Sequence, residues 1–263
     1  MKLSSFFMLS CLAVIVSCNS AETDQQDKKS NSMHNTIESK IVSSDTLQTT
    51  SARGAYAEII KIDYQKNKDI LDILPLLPDS AMRTWDWSKE EREGMVRSLA
   101  ASNQFTDTTK DYNTILTLTP NYFETGVVDG SWTAAIYRVS ENHYIVVTND
   151  ITGDWNEINA YEVEGQQITA VSWDQMIGKK PGDFLLKNHS KPCKDVLYED
   201  EEGNQEIGMF YYDFSDPNLL SVSCYYVKKA NSNCFHGNEV ILKFNKDSKR
   251  FDSLKTNWKN FKQ

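Results

Sequence analysis

Residues 132–149 read WTAAIYRVSENHYIVVTN and carry the clearest structural signal in the chain. Two runs rich in β-branched and aromatic residues flank a short polar segment that contains Asn142. β-Branched and aromatic residues favour β-strands, and asparagine is one of the residues that form tight turns. The stretch therefore predicts an antiparallel β-hairpin with strands over 132–139 and 144–149.

Similar strand-like segments surround this hairpin and fall into two runs. Alternation of apolar and polar residues, with polar breaks between the segments, is typical of antiparallel strands. Apart from the hairpin, the predicted strands of the first run are 112–119, 156–163 and 168–173. After a break at 179–182, the predicted strands of the second run are 206–214, 219–227, 239–244 and 251–254.

Two segments that precede the strands have helical patterns. Residues 55–74 carry several isoleucines and leucines and stop at Pro75, a residue that interrupts a helix. Residues 88–101 open with Ser88 and Glu91 at the spacing of a capping box, followed by an apolar stripe. The chain therefore predicts an α+β fold in which N-terminal helices pack on an antiparallel β-meander sheet.

The two strand runs resemble each other along the sequence. Residues 134–147 parallel 208–222. Residues 156–173 parallel 238–258, and a tryptophan is the last residue of each of these two segments. A duplication would make the two meanders related halves. The alternative is that the likeness carries no ancestry, because any two hairpin meanders share this sequence pattern. In topology alone the arrangement is similar to β-lactamase-inhibitor-like proteins, whose repeats pair helices with four strands. The halves would be 54–175 and 176–263.

The start of the chain has the pattern of an export signal. Lys2 precedes an apolar run at 6–16, which has about the length of a signal-peptide core and is shorter than the roughly 20 residues of a membrane span. The run ends in Ile15-Val16-Ser17-Cys18, which resembles the lipobox of bacterial lipoproteins. The resemblance implies that 1–17 are a signal peptide and that Cys18 is acylated on its sulfur and its new amino group.

Residues 18–53 are predicted to be a lipid-anchored flexible linker. The segment is polar and has no aromatic residue, so it buries too little apolar surface to fold. As a coil it spans on the order of 30 Å. Because Asn19 is not the aspartate that resembles an inner-membrane retention signal, we expect a cell-envelope location at the outer membrane, with the leaflet left open. The alternatives are an ordinary secretory signal and an uncleaved anchor.

The remainder, 54–263, is long enough for one large domain or two small ones. The chain holds 28 Lys and Arg against 37 Asp and Glu, and removal of Lys2 with the leader leaves a net charge of −10. Nucleic acids and anionic headgroups are bound by clustered basic residues. The basic pairs at 179–180 and 228–229 are short. We therefore expect no nucleic-acid partner, and membrane contact through the anchor.

Three cysteines remain beyond the anchor, namely Cys193, Cys224 and Cys234. In an oxidising compartment one disulfide and one leftover thiol are expected. A bridge between Cys224 and Cys234 would close a long hairpin loop and contribute about 2–4 kcal/mol. This is the favoured pairing, and the alternative joins Cys193 to either of the other two.

The sequence contains no signature of a metal, cofactor or serine-nucleophile enzyme, such as HExxH, CxxC, GxSxG or a phosphate-binding loop. The one oxygen-rich segment holds Asp150, Asp154, Asn156 and Glu157, the ligand types that Ca²⁺ prefers. Its spacing differs from the EF-hand, and such loops also serve as ordinary hairpin turns. We expect no cofactor and no catalytic residue.

Aromatic residues are the remaining functional lead. Alternation along a strand sends Tyr211 and Tyr212 to opposite faces, so one of them leaves the core. Exposed aromatic rings stack on sugars or hold protein partners, whereas the alternative places them in cross-strand core pairs. The candidate ligand-binding residues are Trp132, Trp155, Tyr211 and Tyr226.

These observations favour a membrane-tethered, non-enzymatic lipoprotein that binds an envelope protein or another macromolecule. A surface glycan-binding lipoprotein that uses the exposed aromatic rings is the second hypothesis. An envelope hydrolase with a site that sequence motifs do not reveal is the third.

Overall fold

Antiparallel strands make up most of the described protein. The computed structural model describes residues 58–82, 87–107, 114–127, 130–153, 155–187, 197–199 and 205–261, all within one compact unit, 52–263. The strands are β1 Glu58–Lys61, β2 Gln104–Asp107, β3 Thr114–Thr119, β4 Tyr122–Val127, β5 Gly130–Ser140, β6 His143–Thr152, β7 Trp155–Glu164, β8 Gln167–Val171, β9 Leu197–Glu199, β10 Gln205–Ile207, β11 Tyr211–Asp213, β12 Leu219–Ser223, β13 Glu239–Asn245 and β14 Arg250–Asn257. The α-helices are α1 Lys68–Ile73, α2 Lys89–Ser102, α3 Trp173–Ile177 and α4 Pro181–Leu185, and short 3₁₀ helices cover Leu74–Leu76, Asp79–Met82 and Lys229–Asn231. The predicted signal peptide, Cys18 and the linker lie outside the described residues.

The strands form two meanders. The first meander is a six-stranded antiparallel sheet in the order β3-β4-β5-β6-β7-β8, and the second is a four-stranded sheet in the order β11-β12-β13-β14. Two further pairs, β1 with β2 and β9 with β10, are separate antiparallel ribbons. The described residues are thus mainly antiparallel β-sheet with a few helices, in keeping with the predicted α+β class. Among the helices so described, none has the length and apolar character to cross a bilayer.

The β5–β6 hairpin is buried on both faces of the first meander. Ile136 and Val146 lie opposite each other and belong to one apolar cluster, whereas the next pair, Tyr137 and Ile145, belongs to another. Neighbouring residues of a strand point to opposite faces of the sheet. Each cluster therefore fills one face, and the hairpin has no side in water along this stretch.

One of these clusters joins the first meander to α1, α2 and the 3₁₀ segments. Helix α2 begins at a capping box in which Glu91 N donates to Ser88 Oγ at 3.4 Å and Ser88 N donates to Glu91 Oε2 at 2.9 Å. The predicted cap and helix are confirmed. Of the predicted apolar stripe, Met95, Val96 and Leu99 are buried, whereas Ala100 is exposed.

A buried arginine holds the connection between α1 and α2. Arg92 is fully buried, and its Nε donates to the carbonyl of Leu74 at 2.9 Å. Its two terminal nitrogens donate to the carbonyls of Trp87 and Leu77 and to Asp79 Oδ1, the last at 3.1 Å. Burial lowers the pKa of the Arg92 guanidinium, and the nearby Asp79 carboxylate opposes that shift. One side chain thus satisfies the carbonyls of an irregular segment that helix hydrogen bonds leave unpaired.

The other face of the first meander packs against the second meander, α3 and α4. At its centre the ring of Tyr137 lies 4.9 Å from that of Phe251 in an edge-to-face contact and 5.3 Å from that of Phe244. Burial holds the pKa of Tyr137 well above its ordinary value. Aromatic contacts of this kind join the two sheets through side chains. Among the described strands, none of one sheet pairs with a strand of the other.

Several predicted boundaries are wrong. The predicted helix over 55–74 is α-helical only at α1, a 3₁₀ helix begins at Leu74, and the early part contains β1 instead. Strands β1, β2, β4 and β9 were not predicted, and the single strand predicted over 206–214 is split between β10 and β11. The strand predicted over 219–227 ends at Ser223, where the chain turns through Tyr225 and Tyr226.

Candidate functional site

The four candidate aromatic residues lie in different environments. Trp132 is fully buried, and its Nε1 donates to the carbonyl of Ala81 at 2.7 Å. Its predicted role in ligand binding is therefore wrong, because the ring has no surface to offer. Trp155 begins β7, but its side chain lies outside the described part. Tyr211 and Tyr226 are 53% and 49% exposed, so both remain candidates for binding.

Alternation correctly separates the adjacent tyrosines of β11. Tyr212 points inward, where its ring stacks 6.0 Å from Phe214 and meets Trp173 edge-to-face at 6.2 Å. Burial raises the pKa of Tyr212 to about 12. Tyr211 points to the solvent face of the second meander, beside Ser223 of β12. A rigid edge strand therefore presents one exposed phenol.

Further aromatic rings lie just after β12. Tyr225 contacts Tyr226 edge-to-face at 6.0 Å and Phe261 at 5.4 Å. Lys228 Nζ lies 3.7 Å from the centroid of the Tyr225 ring, within cation–π distance. We define the tyrosine patch as Tyr211, Tyr225, Tyr226, Lys228 and Phe261.

Asn238 fixes the C-terminal segment that supplies Phe261. Its backbone N–H donates to the carbonyl of Asn257 at 2.9 Å, and its side chain exchanges two hydrogen bonds with the backbone of Lys259 at 2.6 and 3.0 Å. Gly237 allows this approach, since a Cβ there would lie 2.2 Å from the Asn257 oxygen. The tyrosine patch is thus built on an anchored backbone.

The predicted Cys224–Cys234 disulfide is wrong. Cys224 is a buried free thiol, and Cys234 is disulfide-bonded. Burial raises the pKa of the Cys224 thiol, so the group is held in its neutral form. Cys193 lies outside the described residues, and its pairing with Cys234 stays a prediction.

The oxygen-rich segment is divided between the two faces of the first meander. Asp150 and Glu157 lie opposite each other on β6 and β7, one register position away from Asn156, which faces the other way. Asn156 Oδ1 accepts a hydrogen bond from Asn149 Nδ2 at 3.1 Å, and its Nδ2 donates to the carbonyl of Phe210. Asp154 lies outside the described residues. Where the structure describes side chains, no group of three or more His, Cys, Asp or Glu is placed to hold a metal.

Sequence patterns did not reveal a charged cluster between the two sheets. Glu162 of β7 accepts a hydrogen bond from Lys249 of the β13–β14 turn, and its Oε1 lies 2.6 Å from His143 Nε2. These contacts, with Lys249 contributing most, lower the pKa of the Glu162 carboxyl. Pairing of β6 with β7 places His143 beside Glu162, and the stacking of the two sheets adds Lys249, which is 106 positions from His143.

The Glu162 contacts predict a loss of stability in acid. A carboxyl whose pKa is lowered by folding stabilises the protein above its unfolded pKa of about 4.3 and loses that contribution as the pH falls through the folded value. Glu162→Gln should therefore lower the free energy of unfolding at pH 7 by up to about 1 kcal/mol, as for a partly exposed ion pair. Urea denaturation of both proteins from neutral to acid pH should show this difference shrinking below the unfolded pKa. A difference that stays constant would contradict the assignment.

A groove of about 330 Å³ lies between α2, β2 and the β3–β4 edge. Its lining combines apolar side chains with acidic groups at the rim, namely Trp87, Met95, Phe105, Ile115, Glu91 and Asp107. Glu91 already serves the α2 cap, so its carboxylate is committed to the helix. The apolar lining of the groove is thus continuous with the apolar cluster beneath α2.

Comparisons with known proteins identify no family. No family model matches the chain, and no curated protein matches it. Among solved structures, the chain is similar to a domain of an uncharacterized protein from Porphyromonas gingivalis W83. The sequence identity is 14%, the TM-score is 0.44, and the match covers 71% of this chain and 98% of that one.

Proposed function

We propose that the protein is a lipid-anchored, non-enzymatic component of the cell envelope that binds a macromolecular partner through the tyrosine patch. The observation that carries the proposal is the exposure of Tyr211 and Tyr226 on an otherwise ordered sheet end. Large aromatic side chains are enriched at protein interfaces, where they supply contact area at low entropic cost. An envelope protein is the proposed partner.

The proposed anchor is supported by the leader sequence. Ile15-Val16-Ser17-Cys18 follows an apolar run and precedes a polar linker, and several acyl chains make a permanent tether. Residues 1–17 are the proposed signal peptide, 18–53 the tether, and the outer membrane the proposed location. Cys18→Ser should abolish labelling of the protein with palmitate and release it from membranes washed at high salt, which screens electrostatic contact with lipid headgroups.

We also propose a finer architecture, in which the N-terminal helices cover one face of the first meander and the two meanders are related halves. Hydrophobic clustering of α1 and α2 residues with that face supports the first point. A tryptophan lies within two residues of the end of the last strand of each meander, Trp173 after the first and Trp258 after the second, and supports the second point.

Substitution of the exposed tyrosines tests the binding function. We expect Tyr211→Ala and Tyr226→Ala each to reduce recovery of a crosslinked envelope partner by tenfold or more, since interface aromatics often contribute 2 kcal/mol or more. Thermal unfolding should be unchanged, because both side chains are exposed. Leu116→Ala is the matched control, since Leu116 is 56% exposed on the first meander, away from the tyrosine patch.

Recovery that is unchanged in both tyrosine variants would overturn the assignment of the tyrosine patch. The rival function is glycan binding, which the same exposed phenols favour because aromatic rings stack on sugars. Loss of oligosaccharide retention in the tyrosine variants, with no protein partner recovered, would establish that alternative. A hydrolase, the third hypothesis from the sequence, has no specific observation in its favour among the described residues.

A further inference from the structure

Charge is distributed unevenly along this chain. Residues 219–261 contain eight basic and three acidic residues, whereas the remaining 220 residues contain 20 basic and 34 acidic residues. The net charge of this segment is thus +5, although the net charge of the whole chain is −9. The overall charge, which argued against anionic partners, conceals a basic segment.

Much of this positive charge lies on the β13–β14 hairpin. Leu242, Phe244 and Phe251 point into the apolar cluster between the sheets. Residues at alternating positions therefore point to solvent. We define the basic hairpin face as the exposed residues Lys243, Lys246, Arg250, Leu254 and Lys255.

An apolar side chain stands among these cations. The register of the hairpin shifts between Ile241 and Leu242, whose partners are Lys255 and Ser253, so Leu254 bulges out of the pairing. Its side chain is 54% exposed and borders a shallow depression of about 440 Å³ together with Lys243 and Lys246. Asp252 is the one carboxylate that lines this depression. A leucine beside several lysines suits the interface of a bilayer, where an apolar tip enters and ammonium groups meet phosphates.

Neighbouring charges leave the basic hairpin face available. Lys249 is engaged by Glu162 and Lys259 by Glu239, so neither belongs to it. Of the three acids in the hairpin, Glu239 is paired with Lys259, and Asp252 accepts a hydrogen bond from Asn245 Nδ2 at 2.8 Å. Its carboxylate is thus partly satisfied within the hairpin, while the surrounding cations remain exposed.

Distance limits the influence of the acidic remainder. A folded unit of this size has a radius of gyration of about 17 Å, whereas the Debye length at physiological ionic strength is about 8 Å. Carboxylates on the far side of the protein are therefore largely screened from a surface that touches the hairpin. Local charge decides what this face attracts.

We propose that the basic hairpin face docks on a bilayer that contains anionic lipid headgroups. Lys243, Arg250 and Lys255 contact the lipid phosphates, and Leu254 enters the interfacial region. The proposal rests on the proposed lipid anchor, because a tether of about 30 Å keeps the hairpin within reach of the surface. An exposed leucine at the centre favours a bilayer over a nucleic acid, which offers no apolar phase.

The test uses the chain from residue 19 onward, so that no acyl group contributes to binding. Its sedimentation is measured with vesicles of phosphatidylcholine alone and with vesicles that contain equal phosphatidylglycerol. We expect binding to the anionic vesicles only, with a decrease at higher salt. The Lys243→Gln/Lys255→Gln variant should lower the partition coefficient by about 25-fold, or roughly fivefold per charge removed. Leu254→Ser should lower it severalfold.

A matched variant serves as the control. Lys61→Gln/Lys66→Gln removes the same charge from exposed sites outside the basic segment and should leave the partition coefficient unchanged. Equal binding to both vesicle types, an equal effect of the control, displacement by inorganic phosphate at constant ionic strength, or tighter binding to duplex DNA would each overturn the proposal. Circular dichroism confirms that each variant is folded. If the protein is acylated in cells but fails the vesicle test, the docking proposal is wrong and the proposed function still stands.

Discussion

Arg92→Met will lower the free energy of unfolding by about 3–5 kcal/mol, the cost of breaking a buried charged network. Arg92 is fully buried and donates to the carbonyls of Leu74, Leu77 and Trp87. Methionine fills much of the volume but donates no hydrogen bond, so three carbonyl oxygens lose their partner. Each buried acceptor left unsatisfied costs about 1–3 kcal/mol.

Urea denaturation followed by circular dichroism measures the loss. Arg97→Met is the matched control, because Arg97 is exposed on the same helix and should change stability by no more than about 0.5 kcal/mol. Arg92→Lys should recover only part of the loss, since one ammonium does not reproduce the geometry of a planar guanidinium. If Arg92→Met were as stable as Arg97→Met, the network would have no role in holding the connection between α1 and α2.

Trp132→Ala should lower the free energy of unfolding by about 3–5 kcal/mol, as expected for a fully buried tryptophan. The side chain has no exposed surface, and its ring meets that of Phe123 edge-to-face at 6.3 Å. Its Nε1 also joins β5 to the 3₁₀ helix at Asp79–Met82 through the Ala81 carbonyl. The substitution therefore opens a cavity and removes a bond between the sheet and the helical layer.

Trp132→Phe separates these two contributions. Phenylalanine retains an aromatic ring but leaves the Ala81 carbonyl without its donor, which should cost about 1–3 kcal/mol. Tyr226→Ala, at an exposed site, should stay within about 0.5 kcal/mol of the parent protein in the same denaturation experiment. A Trp132→Ala protein with unchanged stability and reduced ligand retention would instead place this ring in a binding site.

Local patterns predicted the elements whose signals are local. The β5–β6 hairpin was found because its apolar runs and its turn at Asn142 stand next to each other. The cap of α2 was found because Ser88 and Glu91 meet across a single turn of helix. Strand β4 was missed because Glu124 and Gly126 interrupt its apolar pattern, although cross-strand pairing on both sides holds it in the sheet.

Features that depend on contacts distant in sequence were not predictable in this way. Alternation assigned Tyr211 and Tyr212 to opposite faces, but it did not tell that both faces of β5 are covered, so Trp132 was mistaken for a ligand-binding residue. A charged residue on a helix, such as Arg92, is normally predicted to be exposed to solvent. Its burial is explained only by the carbonyl groups that surround it in the folded protein. The contact of Lys249 with the pair formed by Glu162 and His143 likewise exists only because two sheets stack.

The two-sided burial of the β5–β6 hairpin restricts how this protein changes over evolutionary time. In most antiparallel hairpins every second residue faces water, so half of the positions tolerate substitution without affecting the fold. Here consecutive residues such as Ile136 and Tyr137 are both committed to packing, on opposite sides. Tolerated substitutions must accumulate instead at the rim, in strands such as β3 and β14, and descendants of one ancestor would be expected to share a central hairpin long after their edges have ceased to resemble each other.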